Sequence, residues 1–284
     1  MLLVLILGFM TCADFDKPLI PMERIPGGTF MMGNPDGVVG VDDDAPQHQV
    51  TLSGFYMGKY EVTQKQWVEV MGSPLGWSDS YGIGDNYPVY DVIWYKAIEF
   101  CNRLSMQEGL EPVYRILISG SYITDPDVWG GDLFTATWYN GSIVPGANGY
   151  CLPTEAEWEY ACRAGTTTAY NTGDEFSDST GWSLENSNNR CQSVGKKSAN
   201  KWGLYDMHGN MLELCWDYYA NNYGADHLFN PMGPNPDSIF VTSNVHVVRG
   251  GSFDRLAEYL RSARREYVGS NSPFPNLGFR VVRH

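Results

Sequence analysis

The sequence predicts one α+β domain with few helices, short strands and long ordered loops. Two capping boxes, Thr63-Gln64-Lys65-Gln66 and Thr154-Glu155-Ala156-Glu157, each open a run with apolar residues at helical spacing. Short apolar stretches broken by glycine and other turn residues recur between and after them, as strands do. No proline- or serine-rich linker and no internal repeat divides the chain. The 284 residues are 43% hydrophobic and 14% aromatic, which suits a packed core and not disorder. Gly 31, Pro 16, Trp 9 and Tyr 18 favour a loop-rich, aromatic fold over a helical bundle.

The chain opens on Leu2 to Met10, apolar throughout except for Gly8. Such a run is too short to span a bilayer but suits the core of a signal peptide. Cys12 follows and resembles a lipobox cysteine behind Phe9-Met10-Thr11, although no Lys or Arg precedes the run. The expectation is a signal peptide over 1–12 ending at a lipidated Cys12, a tether over 13–24 and one domain over 25–284. An ordinary cleaved signal is the competing reading. A single acyl chain binds membranes weakly, so a stable anchor would need more than one.

Ile25 to Asn34 alternates glycine and apolar residues, like a strand entering a tight turn. Asp42-Asp43-Asp44 reads as a solvated acidic loop, and Gln49–Leu52 and Phe55–Met57 as short strands. Thr63 opens a helix with Trp67, Val70 and Met71 on one face. A second helix covers about Trp94 to Ser105, with Trp94, Ala97, Ile98, Cys101 and Leu104 at helical spacing. Tyr114 to Tyr139 reads as a hairpin, and Thr154 opens a third helix carrying Trp158, Ala161 and Cys162. From Ala164 onwards turn residues dominate and the strands are short. Near the end, Val248–Phe253 and Leu277–Val282 are strand-like and frame an irregular segment, 254–276.

A formal charge of −14 argues against nucleic acid or an anionic membrane surface as the main partner. Beyond Cys12 there are five cysteines, none with zinc spacing; Cys101, Cys162 and Cys215 sit among apolar neighbours, as small buried hydrophobes do. His48, His208, His227, His246 and His284 show no metal-ligand spacing either. Arg249, Arg280 and the arginines of Leu260–Arg265 read as scaffold paired with internal carboxylates, since buried charges need partners.

Five motifs in order resemble the formylglycine-generating enzyme family, also called sulfatase-modifying factors. They are Ile25–Gly33, Tyr60-Glu61-Val62-Thr63, Gly149–Ala161, Trp202–Asn210, and the frame Arg249-Gly250-Gly251-Ser252 with Leu277-Gly278-Phe279-Arg280. The resemblance runs from about Ile25 to Val282 and implies a C-type lectin-like fold. The family's sulfatase-activating oxidases bind copper through two cysteines after the Gly-Gly-Ser motif. Those positions fall near Arg255 and Leu260 here, and no cysteine follows Cys215. Copper(I) prefers soft thiolates, so the resemblance carries the scaffold and not this chemistry, and no catalytic residue is expected. Cys151 and Ile93 stand where the family commonly has an arginine and a helix-capping serine.

The frame and the lipobox are most similar to the variable proteins of diversity-generating retroelements, of the lipid-anchored Treponema type. There the stretch between the framing motifs is rewritten and binds ligand. By that resemblance Arg255, Leu256, Tyr259, Tyr267, Val268, Asn271, Phe274 and Asn276 are the expected contact residues, within a variable segment 254–276. Tyrosine and phenylalanine supply rigid contact area, arginine and asparagine adaptable polar contacts. Alternatively Leu256, Val268 and Phe274 fill core. The family's calcium loop maps onto Asp206, Gly209, Met211 and Glu213, which leaves a structural calcium or a calcium-free turn as alternatives; no other cofactor is expected. The expected protein is an exported lipoprotein on the outer membrane or cell surface of a bacterium, binding a protein or other surface ligand. A related enzyme or accessory protein is the alternative, and a structural lipoprotein without a specific ligand a third.

Overall fold

The computed structural model describes residues 18–34, 47–130, 141–220, 228–234 and 241–284. Cys12 with the rest of 1–17, the Asp42–Asp44 run and His227 lie outside them. The fold is mixed α+β, with small sheets around an aromatic core and no helix long and apolar enough to cross a membrane among the described residues.

Strands β1 (Met22–Ile25), β2 (Gly28–Met32), β3 (His48–Leu52) and β4 (Phe55–Gly58) lead into helix α1 (Gln64–Met71). The Thr63 capping box is formed on both sides, and Gly72 ends the helix in the left-handed region. Helix α2 (Trp94–Gln107) buries its aromatic and aliphatic face, and its N-cap, Ile93, makes no side-chain bond. Of the hairpin expected over Tyr114 to Tyr139, β5 (Tyr114–Ile118) pairs with β6 (Ser121–Ile123), the short helix α3 (Pro126–Trp129) follows, and 131–139 lies outside the described residues; β7 (Gly141–Ile143) pairs with the other edge of β5. After β8 (Tyr150–Cys151) comes helix α4 (Glu155–Arg163), opened by the Thr154–Glu157 capping box.

The second half departs from the expectation of short strands. After β9 (Gly181–Trp182) and β10 (His208–Gly209) come β11 (Leu212–Ala220) and, beyond β12 (Leu228–Phe229), β13 (Val241–Arg249), with nine residues each in β11 and β13. β11 is buried along nearly its whole length, so its sequence lacks the polar–apolar alternation that marks a half-exposed strand. The segment 254–276 also holds more order than its sequence suggests. It contains a 3₁₀ turn at Ala257–Leu260 and a strand, β14 (Glu266–Gly269), which pairs antiparallel with β13. The chain then closes through β15 (Leu277–Gly278), parallel to β11, and β16 (Val282–Arg283), between β4 and β8.

Arginines stand among the largest fully buried side chains, beside Trp67, Trp94 and Trp158. Their partners are carboxylates. Arg280 donates Nε to Glu213 Oε2 at 2.6 Å and Nη2 to Oε1 at 2.5 Å. Arg249 pairs with Glu159, which also holds Arg163 at 2.8 Å; Arg265 holds Glu155 through Nε at 2.6 Å and Nη2 at 2.9 Å. Glu155 and Glu159 lie one turn apart on α4, so that helix anchors arginines from two later parts of the chain. The five described cysteines are all buried and unpaired with each other.

Replacing Arg280 with Met strands Glu213 in the core without its cation. Stability measured by urea unfolding falls by about 3–5 kcal/mol, as for other broken buried pairs. Arg255→Met, at a solvent-facing arginine, changes it by about 0.5 kcal/mol or less. Equal losses for the two variants would refute this assignment.

Candidate functional site

The framed segment is a loop on a braced base. β13 ends at Arg249, and Gly250 (φ 93°) and Gly251 (φ 68°) turn the chain. A Cβ at Gly251 would fall 2.8 Å from Leu260 Cδ1 and from the Tyr259 carbonyl, so this turn requires glycine. Across the loop mouth, Ser252 Oγ donates to Asp254 Oδ1 at 2.6 Å, and Asn276 Nδ2 donates to the same carboxylate at 3.1 and 3.2 Å. Arg249 Nη1 reaches under the loop to the carbonyls of Ala263 (2.8 Å) and Arg264 (2.5 Å). Phe253, Leu260 and Ala263 point inward, and together these contacts fix the base.

Above that base the side chains face solvent. Leu256 is 45% exposed, Tyr267 60% and Phe274 48%, and Asn271 is exposed as well. Arg255 is half-buried, with Nη2 3.5 Å from Glu266 Oε2. Tyr259 is half-buried beneath the Arg264 guanidinium, 5.2 Å from its ring centre. Two expected contact residues lie elsewhere. Val268 is only 7% exposed: β14 places it opposite His246 and turns its side chain into the main core. Asn276 spends its amide on the Asp254–Ser252 brace. Alternation along β14 separates outward Tyr267 from inward Val268, a distinction unavailable while the segment reads as irregular.

Leu184 at this surface, and the buried Tyr219 beneath it, carry no mark in the sequence. Leu184 is exposed and its N–H donates to the Arg255 carbonyl at 2.8 Å, and the Tyr219 ring lies 4.7 Å from that of Tyr267. Both come from distant parts of the chain, and no local motif marks either.

Among the four calcium candidates both carboxylates have protein partners, while Asp206 Oδ1 is buried with no hydrogen-bond partner among the described residues. Glu213 gives both oxygens to Arg280 and also accepts from Trp158 Nε1 at 2.7 Å. Asp206 accepts from Gly195 N–H at 2.7 Å. The backbone of Gly209 lies in the β9–β10 pairing, where a Cβ would fall 1.8 Å from the Trp182 carbonyl, and Met211 N–H donates to Glu61. Among the described residues no group of three or more His, Cys, Asp or Glu could hold a metal ion.

One thiol–imidazole pair occurs inside. Cys162 Sγ lies 3.8 Å from His208 Nε2. Burial pushes the thiol up to about 12 and the imidazole down to about 4, so both are neutral near pH 7 and neither is a nucleophile or base in waiting. His208 Nδ1 instead lies 2.7 Å from the Leu260 carbonyl, under the loop.

Residues 14–284 match the family model of the sulfatase-modifying factor enzyme 1-like domain. Among solved structures, Treponema denticola variable protein 1 superimposes with a TM-score of 0.79 at 31% identity, covering 92% of this chain and 94% of that one. The chaperone protein LppX of Paenibacillus barcinonensis is 36% identical over 82% of this chain and 81% of its own length. The formylglycine-generating enzyme of Mus musculus is 27% identical over 93% of this chain and 75% of its own. The chain therefore belongs to the sulfatase-modifying factor enzyme 1-like family, in which it shares a fold with both enzymes and a variable protein.

Proposed function

We propose that this chain is a non-catalytic binding protein whose contact surface is the outer face of residues 254–276. The observation behind this reading is a contrast within one short segment. Leu256, Tyr267 and Phe274 expose large apolar surface, while the base below them is held by buried ion pairs and tight turns. Exposed apolar side chains gathered on a rigid platform are what recognition surfaces use. The likeness to a variable protein supports the same reading, with this segment as the diversified one. So does the absence of any cysteine after Cys215, which leaves the oxidase positions without thiolates. Contact residues on this reading are Arg255, Leu256, Tyr259, Tyr267, Asn271 and Phe274, joined by Leu184. A protein or another surface molecule fits this aromatic and polar mixture, and the charge of −14 disfavours nucleic acid. Acylation at Cys12 would hold the receptor or adhesin at a bacterial surface.

A second reading is favoured by one observation: the 36% identity with a protein described as a chaperone. On that reading the same face holds a client protein during its maturation. The binding surface is common to both readings, and only the partner differs.

A display library randomised at 255, 256, 259, 267, 271 and 274 and panned against hen lysozyme yields binders, and their melting temperatures stay within about 5 °C of the parent. Failure to yield binders from a folded library, or formation of aldehyde on a sulfatase-motif peptide supplied with copper, would overturn the reading. When the full chain is expressed in a lipoprotein-processing bacterium, it partitions into the detergent phase of Triton X-114 and Cys12→Ala moves it to the aqueous phase. Equal partitioning of both would rule out the anchor.

A further inference from the structure

A cavity of about 270 Å³ lies between β2, β3, α4, the end of β11 and the 231–234 turn. Its walls are largely apolar, with Met32, Leu228 and Met232 among them. Four polar side chains also line it: His48, Glu155, Asp217 and Arg265, all buried in the fold. Small-molecule sites have this make-up, an apolar hollow with a few placed polar groups.

The charges of the cavity do not cancel. Arg265 is spent, with Nε and Nη2 on Glu155 at 2.6 and 2.9 Å and Nη1 on the Ala220 carbonyl at 2.9 Å. Glu155 and Arg265 thus neutralise one another. Asp217 makes no ion pair among the described residues. Its Oδ2 accepts from Glu155 N–H at 2.8 Å, and its Oδ1 has no hydrogen-bond partner among the described residues. Gly233 keeps the space beside that oxygen open, since a Cβ there would fall 2.8 Å from Oδ1. Among the described residues, the titratable groups around Asp217 are Glu155 and Glu157 from α4, His48 from β3 and Arg265. Burial first, then the Glu155 carboxylate, pushes the Asp217 carboxyl up to about 8, so it holds its proton at neutral pH until a cation faces it.

We propose that this cavity binds a small amine with an apolar body, its ammonium on Asp217 Oδ1 and its hydrocarbon against Met32, Leu228 and Met232. A neutral alcohol gains the wall contacts but leaves the carboxyl protonated, and a carboxylate ligand finds Arg265 already held by Glu155. On binding, the ammonium keeps its protons and Asp217 releases its own to the buffer.

Calorimetry on the full chain at pH 7, in two buffers of different ionisation enthalpy, tests this with benzylamine and benzyl alcohol. Benzylamine binds at least about tenfold more tightly than the alcohol, a difference of about 1.4 kcal/mol, and releases close to one proton (~1) as Asp217 ionises. Asp217→Asn, which keeps the acceptor for Glu155 N–H, loses that preference and the proton release. No saturable benzylamine binding, equal binding of the alcohol, or an amine preference that survives in folded Asp217→Asn would overturn the proposal. If the variant does not fold, the amine-to-alcohol ratio and the proton count on the wild-type chain decide.

Discussion

The architecture depends on carboxylates buried with arginines. Glu213 and Arg280 join β11 to the C-terminal run, and Glu155 and Glu159 on α4 reach Arg265 and Arg249. Each pair forfeits the hydration of two ions, and only close, multiple hydrogen bonds offset that cost. The geometry supplies them. Arg280 also donates to the Gly58 and Tyr205 carbonyls, at 3.1 and 3.0 Å, and Arg249 to two carbonyls under the framed loop. Such pairs add little net stability over a hydrophobic core, but they penalise wrong packing heavily. They therefore specify where β13 and β15, the two ends of the frame, must sit.

That constraint separates structure from display. Arg249 and Arg280 bracket the segment 254–276 and are buried, while Leu256, Tyr267 and Phe274 between them face water. Inward Leu260 and Val268 and the Asn276 brace keep the loop on its base. Outward residues can change without touching the pairs, so on the proposed reading recognition would vary while the fold is preserved. The amine cavity draws on the same network differently. There Glu155 is already neutralised by Arg265, and the proposed amine would sit on the Asp217 oxygen that has no hydrogen-bond partner among the described residues.

Much of this was legible in the residues. The capping boxes at Thr63 and Thr154 located two helices, and the paired arginines were expected because a buried guanidinium has few alternatives. The fully buried β11 was not, because burial on both faces removes the alternation by which strands are read. The candidate contact residues divided for a similar reason. Tyr267 and Val268 are neighbours in sequence but point to opposite sides of β14, and only the pairing with β13 shows which faces out. Glu213, which the resemblance placed in the family's calcium loop, is held by Arg280, 67 residues away, a pairing that no local motif marks. Leu184 and the Asp217 cavity are assembled from separate parts of the chain, so no local motif marks them.

The central claim is that ion pairs carry the fold and the loop surface is free to vary. A saturation mutational scan read out by protease resistance on a display platform tests it directly. Most substitutions at 255, 256, 267, 271 and 274 leave resistance unchanged, whereas almost none are accepted at Glu159, Glu213, Arg249 and Arg280. Intolerance at the outward positions, or broad tolerance of apolar residues at a single member of each pair, would contradict the account.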